Sequence, residues 1–175
     1  MDVRLRPAQA ADLPFFYRWQ EEDPGWERYT CQPVELVRPY PVFRARYLNA
    51  LRGGREVVFT VLRDGEIVGR TVAQNENPRN RSMEIGYYLA AGARGQGVGR
   101  EVVRTFVGIL FTWPGKSLHK LYATTSADNL PSIAVLKAAG FRLDGRLREH
   151  YLIDGAFSDE LFFSLLRREW HPTQR

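Results

Sequence analysis

Three glycines at alternate positions lie between two arginines in Arg94-Gly-Gln-Gly-Val-Gly-Arg100. They follow an apolar and aromatic run, Met83 to Leu89, that reads as a buried strand. They lead into a segment in which Val98, Val102, Phe106, Ile109 and Leu110 recur on one helical face. Gly95, Gly97 and Gly99 therefore sit where a helix begins. The first N–H groups of a helix have no partner within it and carry the positive end of its dipole, and a loop without side chains lets a phosphate reach them. With Arg94 and Arg100 adding charge, the stretch reads as an anion site of the kind a pyrophosphate fills. The same glycines would also serve as a tight turn and a close helix contact. Two other phosphate loops are excluded: Arg at position 100 leaves no G-x-G-x-x-G, and no Gly-Lys-Ser/Thr follows.

Glu84 is the one charged residue in the Met83–Leu89 run. Strand alternation puts it on one side with Gly86 and Tyr88. It either faces a polar cleft, where a carboxylate can take a proton, or pairs with a cross-strand arginine such as Arg70. Tyr87 and Tyr88 read as packing rather than as pocket walls. Cys31 has no matched base, so no covalent cysteine chemistry is expected. His119, His150 and His171 are scattered without metal-ligand spacing, and no metal is expected.

The elements that must position these residues follow from pattern and punctuation. Val3 to Leu5 reads as a strand ended by Pro7, and Asp12 as the cap of a helix opening at Leu13-Pro14 with Phe15, Phe16 and Trp19 on its apolar face. Glu21 to Pro41 holds four prolines and reads as irregular, yet carries Trp26, Tyr29, Leu36 and Tyr40, which should pack. Phe43 to Leu51 reads as a helix stopped by Gly53-Gly54. Glu56–Arg63 and Glu66–Ala73 read as strands joined by an Asp64-Gly65 hairpin, and Asn75 to Arg81 as a polar loop. After the Gly-rich loop the helix runs to Trp113-Pro114-Gly115. Leu118–Thr125 is the next strand, and Asp128 or Asn129 caps a helix over Leu130–Ala139 with Gly140 as its stop. Phe141–Ile153 and Ala156–Leu166 pair across Asp154-Gly155.

Bulk properties set bounds. A chain of 175 residues with 44% hydrophobic content suits one domain, 1–175, with one core. No apolar run approaches a membrane span, Met1-Asp-Val-Arg-Leu-Arg has no apolar leader, and a single cysteine suits a reducing cytoplasm. The net charge of +5 is spread along the chain without a basic stripe, so neither nucleic acid nor membrane is expected as a partner.

Arg94-Gly-Gln-Gly-Val-Gly99 resembles the Arg/Gln-x-x-Gly-x-Gly/Ala signature of the GNAT superfamily of acyl-CoA-dependent N-acetyltransferases. The order β, α, α, β, β, β, α, β, α, β, β is similar to the GNAT fold. The class expected is therefore α/β (α+β), with a mixed, mostly antiparallel sheet of about seven strands and helices on both faces. Asn129-Leu-Pro-Ser132 followed by Gly140-Phe141, and the ending Asp159 to Trp170, are similar to the RimJ/RimL-like branch, which acetylates N-terminal amines of ribosomal proteins and also includes enzymes acting on small amines.

The resemblance implies acetyl-CoA or coenzyme A held by Arg94, Gly95, Gln96, Gly97, Val98, Gly99 and Arg100, with main-chain groups of Leu89 and Ala91 on the pantetheine arm. It implies Asn129 near that arm, against a simple helix cap. It implies Ser132 near the sulfur, because the position one turn on, where many members carry Tyr, is Leu136 here. Ser132 and Glu84 are then the catalytic pair, Glu84 as the base that takes the amine's proton. Trp26, Tyr29 and Tyr151 would border the acceptor, a peptide N-terminus or a small-molecule amine such as an antibiotic or metabolite. A monomer or homodimer is expected. A non-catalytic acyl-CoA-binding regulatory module is the alternative.

Overall fold

Two Asp-Gly turns set the register of two hairpins. Asp64 and Gly65 have φ of 50° and 92°, and Asp154 and Gly155 have 51° and 75°. Positive φ at both central residues is what a two-residue turn needs to follow the twist of its strands. The computed structural model describes residues 2–31, 38–54 and 56–172, so the packing expected of Leu36, and the tail beyond Pro172, lie outside the described residues.

In chain order the elements are β1 (Val3–Pro7), α1 (Leu13–Glu22), α2 (Trp26–Thr30), α3 (Tyr40–Arg52), β2 (Val57–Arg63), β3 (Glu66–Asn77), β4 (Ser82–Leu89), α4 (Val98–Phe111), β5 (Lys120–Ser126), α5 (Leu130–Ala138), β6 (Arg142–Ile153) and β7 (Ala156–Leu166). The strands form one sheet ordered β1-β2-β3-β4-β5-β7-β6. Among the described residues only β4 and β5 run parallel.

Period-two alternation divides the strands between two layers. Ala73, Met83, Ile85, Leu121 and Phe163 point to the face covered by α4 and α5, where they bury Phe106, Leu110 and Leu136. Val58 and Val72 point to the other face, against Leu13 and Phe16 of α1 and Phe43 and Tyr47 of α3. The helical stripe read from sequence holds on α4: Val98, Val102, Phe106 and Leu110 are all buried.

The feature that positions the site is a parting of strands. β4 and β5 pair only from Ser82–Lys120 to Glu84–Tyr122. Beyond that, β4 stays with β3 as far as Leu89 opposite Gly69, and β5 stays with β7 as far as Ser126 opposite Glu160. Each strand follows its outer neighbour, and a cleft opens through the middle of the sheet.

Four local expectations are corrected. The segment read as irregular contains a one-turn helix, α2, begun by a turn in which Gly25 N–H donates to Asp23 Oδ1 (2.9 Å) and ended at Cys31 with φ of 55°. Helix α3 starts at Tyr40, because Pro41 falls in its first turn, where its missing N–H costs nothing. Strand β3 runs to Asn77 instead of giving way to a loop at Asn75. Asn75 takes φ of 51° in a bulge, and Asn77 pairs again with Ser82. Asp12 does not cap α1. Its buried carboxylate accepts from Arg6 (2.6 and 2.7 Å), Thr60 Oγ1 (2.6 Å) and Gln9 N–H (2.8 Å), fastening β1 to β2.

Candidate active site

The loop between β4 and α4 turns on glycines that take conformations other residues avoid. Gly95 and Gly97 have φ of 73° and 79°, and a Cβ on either would meet nothing within 4 Å. Gly97 is the N-cap of α4, and no side chain caps that end. The first N–H groups of α4 therefore open onto a surface clear of side chains, which suits an oxyanion such as a phosphate. Val98 is buried and anchors the helix start, and Arg100 is exposed beside it. Gly99 answers a different need: a Cβ there would come to 3.1 Å from Val135 Cγ2, so it lets α4 approach α5. The Gln96 side chain is held within the loop, accepting from Arg63 Nη1 (2.8 Å) and donating to Gly92 O (3.0 Å).

Arg94 is turned away from this surface, against expectation. Its guanidinium forms an ion pair with Asp23, donates through Nε to Leu89 O (2.9 Å) and lies 3.9 Å over the Tyr29 ring. Asp23 is nearly buried and also accepts from Tyr88 Oη (2.5 Å). Burial alone would raise its carboxyl, but the bonds from Arg94, Tyr88 and Gly25 N–H outweigh that and hold it below the usual carboxylate range. The carbonyls of Leu89 and Ala91 are both occupied by Arg94, the second through its N–H (3.2 Å). Each of these oxygens keeps a second lone pair, so the main-chain role expected of Leu89 and Ala91 stays open to them.

A cavity of about 300 Å³ runs through the cleft between β4 and β5. On the α5 side it meets Ser132, Leu136 and Tyr87. Tyr87 Oη lies 2.8 Å from Ser132 Oγ, and burial pushes the phenol pKa up to about 12. The pair is a neutral hydroxyl couple able to donate into the cleft. Tyr87 is the residue that sequence reasoning set aside as packing. The signal was its phase: it shares the face of Met83 and Ile85, and a phenol on a core face needs a polar partner. Asn129 is buried, and its Oδ1 accepts from Ser132 N–H (3.2 Å), so it is the α5 cap and orients the serine.

On the α1–α3 side the cavity is lined by Tyr29, Arg70, Gln74, Glu84, Tyr151 and Cys31, among others. Glu84 accepts from Asn75 Nδ2 (2.6 Å). Its cross-strand neighbour is Gln74, and Arg70 lies opposite Tyr88, so the pairing with Arg70 does not form. Tyr151 donates to Glu160 Oε1 (2.5 Å), and burial together with that carboxylate drives its own phenol pKa upward. Burial raises the Cys31 thiol too, so it stays protonated. Trp26 is corrected: only 2% exposed, it packs its ring 5.2 Å from that of Tyr88 and does not reach the cavity. Among the described residues no helix is long and apolar enough to cross a membrane, and no three His, Cys, Asp or Glu side chains converge as a metal site.

Comparison with known proteins agrees with this fold. The family model described as Acetyltransferase (GNAT) domain matches residues 2–142. The putative ribosomal N-acetyltransferase YdaF of Bacillus subtilis is 30% identical over 132 residues, 74% of this chain and 68% of that protein. The structure of Mycobacterium smegmatis RimJ in complex with CoA-disulfide superposes with a TM-score of 0.79 at 30% identity, over 98% of this chain and 84% of that one. The spermidine N-acetyltransferase of Vibrio cholerae, solved with CoA and spermine, shares the fold with a TM-score of 0.87 at 21% identity, over 95% and 96% of the two chains.

Proposed function

This chain belongs to the GNAT acetyltransferase family, and on that premise we propose how its residues carry out acetyl-CoA-dependent N-acetylation of an amine. The observation that carries the reading is the parting of β4 from β5 after Glu84, with the Tyr87–Ser132 hydroxyl pair on one wall and Glu84 on the other. Bound there, acetyl-CoA supplies the acyl group and leaves as the thiol.

The left-handed Gly95 and Gly97 and the uncapped start of α4 receive the pyrophosphate, with Arg100 alongside. Arg94 does not contact it; its part is to hold the loop in place. The cleft edge of β4 beyond Glu84 receives the pantetheine arm. Gly99 keeps α4 close enough to α5 for Ser132 to stand beside the sulfur.

Direct attack on a thioester needs alignment, a neutral amine and a proton for the departing sulfur. Glu84 receives the amine's proton, directly or through water. Ser132, hydrogen-bonded to Tyr87, donates a proton to the departing sulfur, and the hydroxyl pair is reprotonated from water, to which Glu84 releases the proton it took from the amine. Asn129 holds the serine's turn of helix so that Oγ points into the cleft. Tyr29 and Tyr151 line the acceptor side. The acceptor is a peptide N-terminus or a small amine, and the enzyme works in the cytoplasm.

A thiol-release assay with acetyl-CoA and a panel of peptides and amines tests the reading. Amine-dependent thiol release, lost in Ser132→Ala, supports it. Coenzyme A binding with no turnover on any amine overturns it in favour of a non-catalytic acyl-CoA-binding module.

A further inference from the structure

The acceptor side of the cavity is bipolar, and its positive end lacks a carboxylate partner among the described residues. Arg70 is half-buried there. It donates to Tyr47 Oη and stacks near the rings of Phe16 (5.8 Å) and Tyr47 (5.4 Å). Among the described residues no carboxylate pairs with it. A guanidinium taken from water without an anion is costly and points to an anion or carbonyl oxygen supplied from outside. Gln20 gives a second, independent sign. The residue lines the same cavity, and its Nε2 is buried with no hydrogen-bond partner. An orphaned buried donor of this kind wants an acceptor oxygen.

The negative end lies at Glu84 and Glu56, which line the same cavity. Arg70 stands opposite Tyr88 on the sheet, four residues along β4 from Glu84, a backbone span of about 13 Å at the usual rise per strand residue. Between them the floor is Val72 and Gly86, where even a Cβ on Gly86 would come to 3.0 Å from Val72 Cγ1. The floor is therefore low and apolar, with an oxygen-seeking end and an ammonium-seeking end.

We infer that the acceptor is an α-aminoacyl compound, its amine toward Glu84 and its carbonyl or carboxylate oxygen held by Arg70 and Gln20. A polyamine is disfavoured, because its further cationic groups would meet Arg70. This rests on the N-acetyltransferase reading above and makes it specific. A free amino acid and the first residue of a peptide share this chemistry, one presenting a carboxylate and the other a peptide carbonyl.

The test compares kcat/KM at saturating acetyl-CoA for amino acids, amino-acid amides, dipeptides, the matched alkylamines that lack the carbonyl, and spermidine. The expected result is a preference of roughly tenfold or more for the carbonyl-bearing acceptor over its matched alkylamine, as for a charged hydrogen bond made or lost. Arg70→Met keeps the apolar stem against Phe16 and Tyr47, and Gln20→Leu keeps the volume. Each should raise KM for the carbonyl-bearing acceptor by a similar factor and leave the alkylamine unchanged. Relative rates for carboxylate, amide and dipeptide then separate the two sources.

Equal or better turnover of spermidine or the alkylamines, with selectivity unmoved by Arg70→Met, overturns the inference and leaves acetyl transfer standing. If no amine is turned over, the functional reading fails, and calorimetric titration of the coenzyme A-loaded protein with an amino-acid amide and its matched alkylamine decides. Binding of the amide that depends on Arg70 supports the inference, and no preference overturns it. Melting curves of the coenzyme A-loaded variants report whether they are folded.

Discussion

Arg94 and Asp23, 71 positions apart in the chain, form an ion pair that fastens the Gly-rich loop to the turn between α1 and α2. The loop proposed to meet coenzyme A and the segment proposed to border the acceptor are thus joined by this contact. Asp23 is held below its ordinary value of 3.8, so its stabilisation is complete above that value and is lost as the pH falls through the lower, folded value. Asp23→Asn should lower stability at neutral pH by about 3 kcal/mol, since it strands a partly buried guanidinium. In thermal melts the gap between variant and parent should narrow progressively below pH 3.8. A gap that stays constant into acid would contradict the pairing.

Ser132→Ala and Tyr87→Phe should each slow turnover by roughly 10²-fold, with little change in acetyl-CoA affinity, because each removes part of one proton route. With a pKa near 12 the Tyr87 phenol is protonated throughout the working range, so the loss should not depend on pH. The double variant should be scarcely slower than the worse single one, since the two hydroxyls share one hydrogen bond. Fully multiplicative losses in pre-steady-state thiol release would show that they act separately.

Gly97→Glu and Gly99→Ala should fail in different ways. Gly97 has φ of 79° and open space around it, so a glutamate there combines backbone strain with a carboxylate at the anion surface. Coenzyme A affinity should be lost in calorimetry. A Cβ at Gly99 would come to 3.1 Å from Val135 Cγ2, so an alanine should cost about 1 kcal/mol in stability through overpacking. Its effect on coenzyme A affinity should be smaller than that of Gly97→Glu.

Glu84→Gln should lower kcat/KM for the amine by roughly 10²-fold at neutral pH, as expected for a lost proton acceptor. The deficit should shrink as the pH approaches the acceptor's own pKa, where the free amine no longer needs a base. A deficit that is the same at every pH would assign Glu84 to acceptor binding alone.

The parts of the fold that depend on near neighbours could be read from sequence. Both Asp-Gly hairpins, the α4 stripe and the sides of Glu84 and Tyr88 follow from period and turn chemistry. What escaped depends on residues far apart in the chain. Arg94 looked like a phosphate ligand because its partner, Asp23, lies in another layer of the fold. Trp26 looked like a pocket wall, but Tyr88 takes its face. Tyr87 looked inert because Ser132, which gives its hydroxyl a purpose, is 45 positions away. Asp12 looked like a cap because Arg6 and Thr60 compete for it only after β1 and β2 pair.

The most direct measurement is a crystal structure of the coenzyme A complex. It should show the pyrophosphate on the main-chain amides at the start of α4 and the sulfur about 3 to 3.5 Å from Ser132 Oγ or Tyr87 Oη, within reach for proton transfer. A coenzyme A whose sulfur lies outside the cleft between β4 and β5, or whose phosphates leave the Gly95–Gly97 turn bare, would contradict the account.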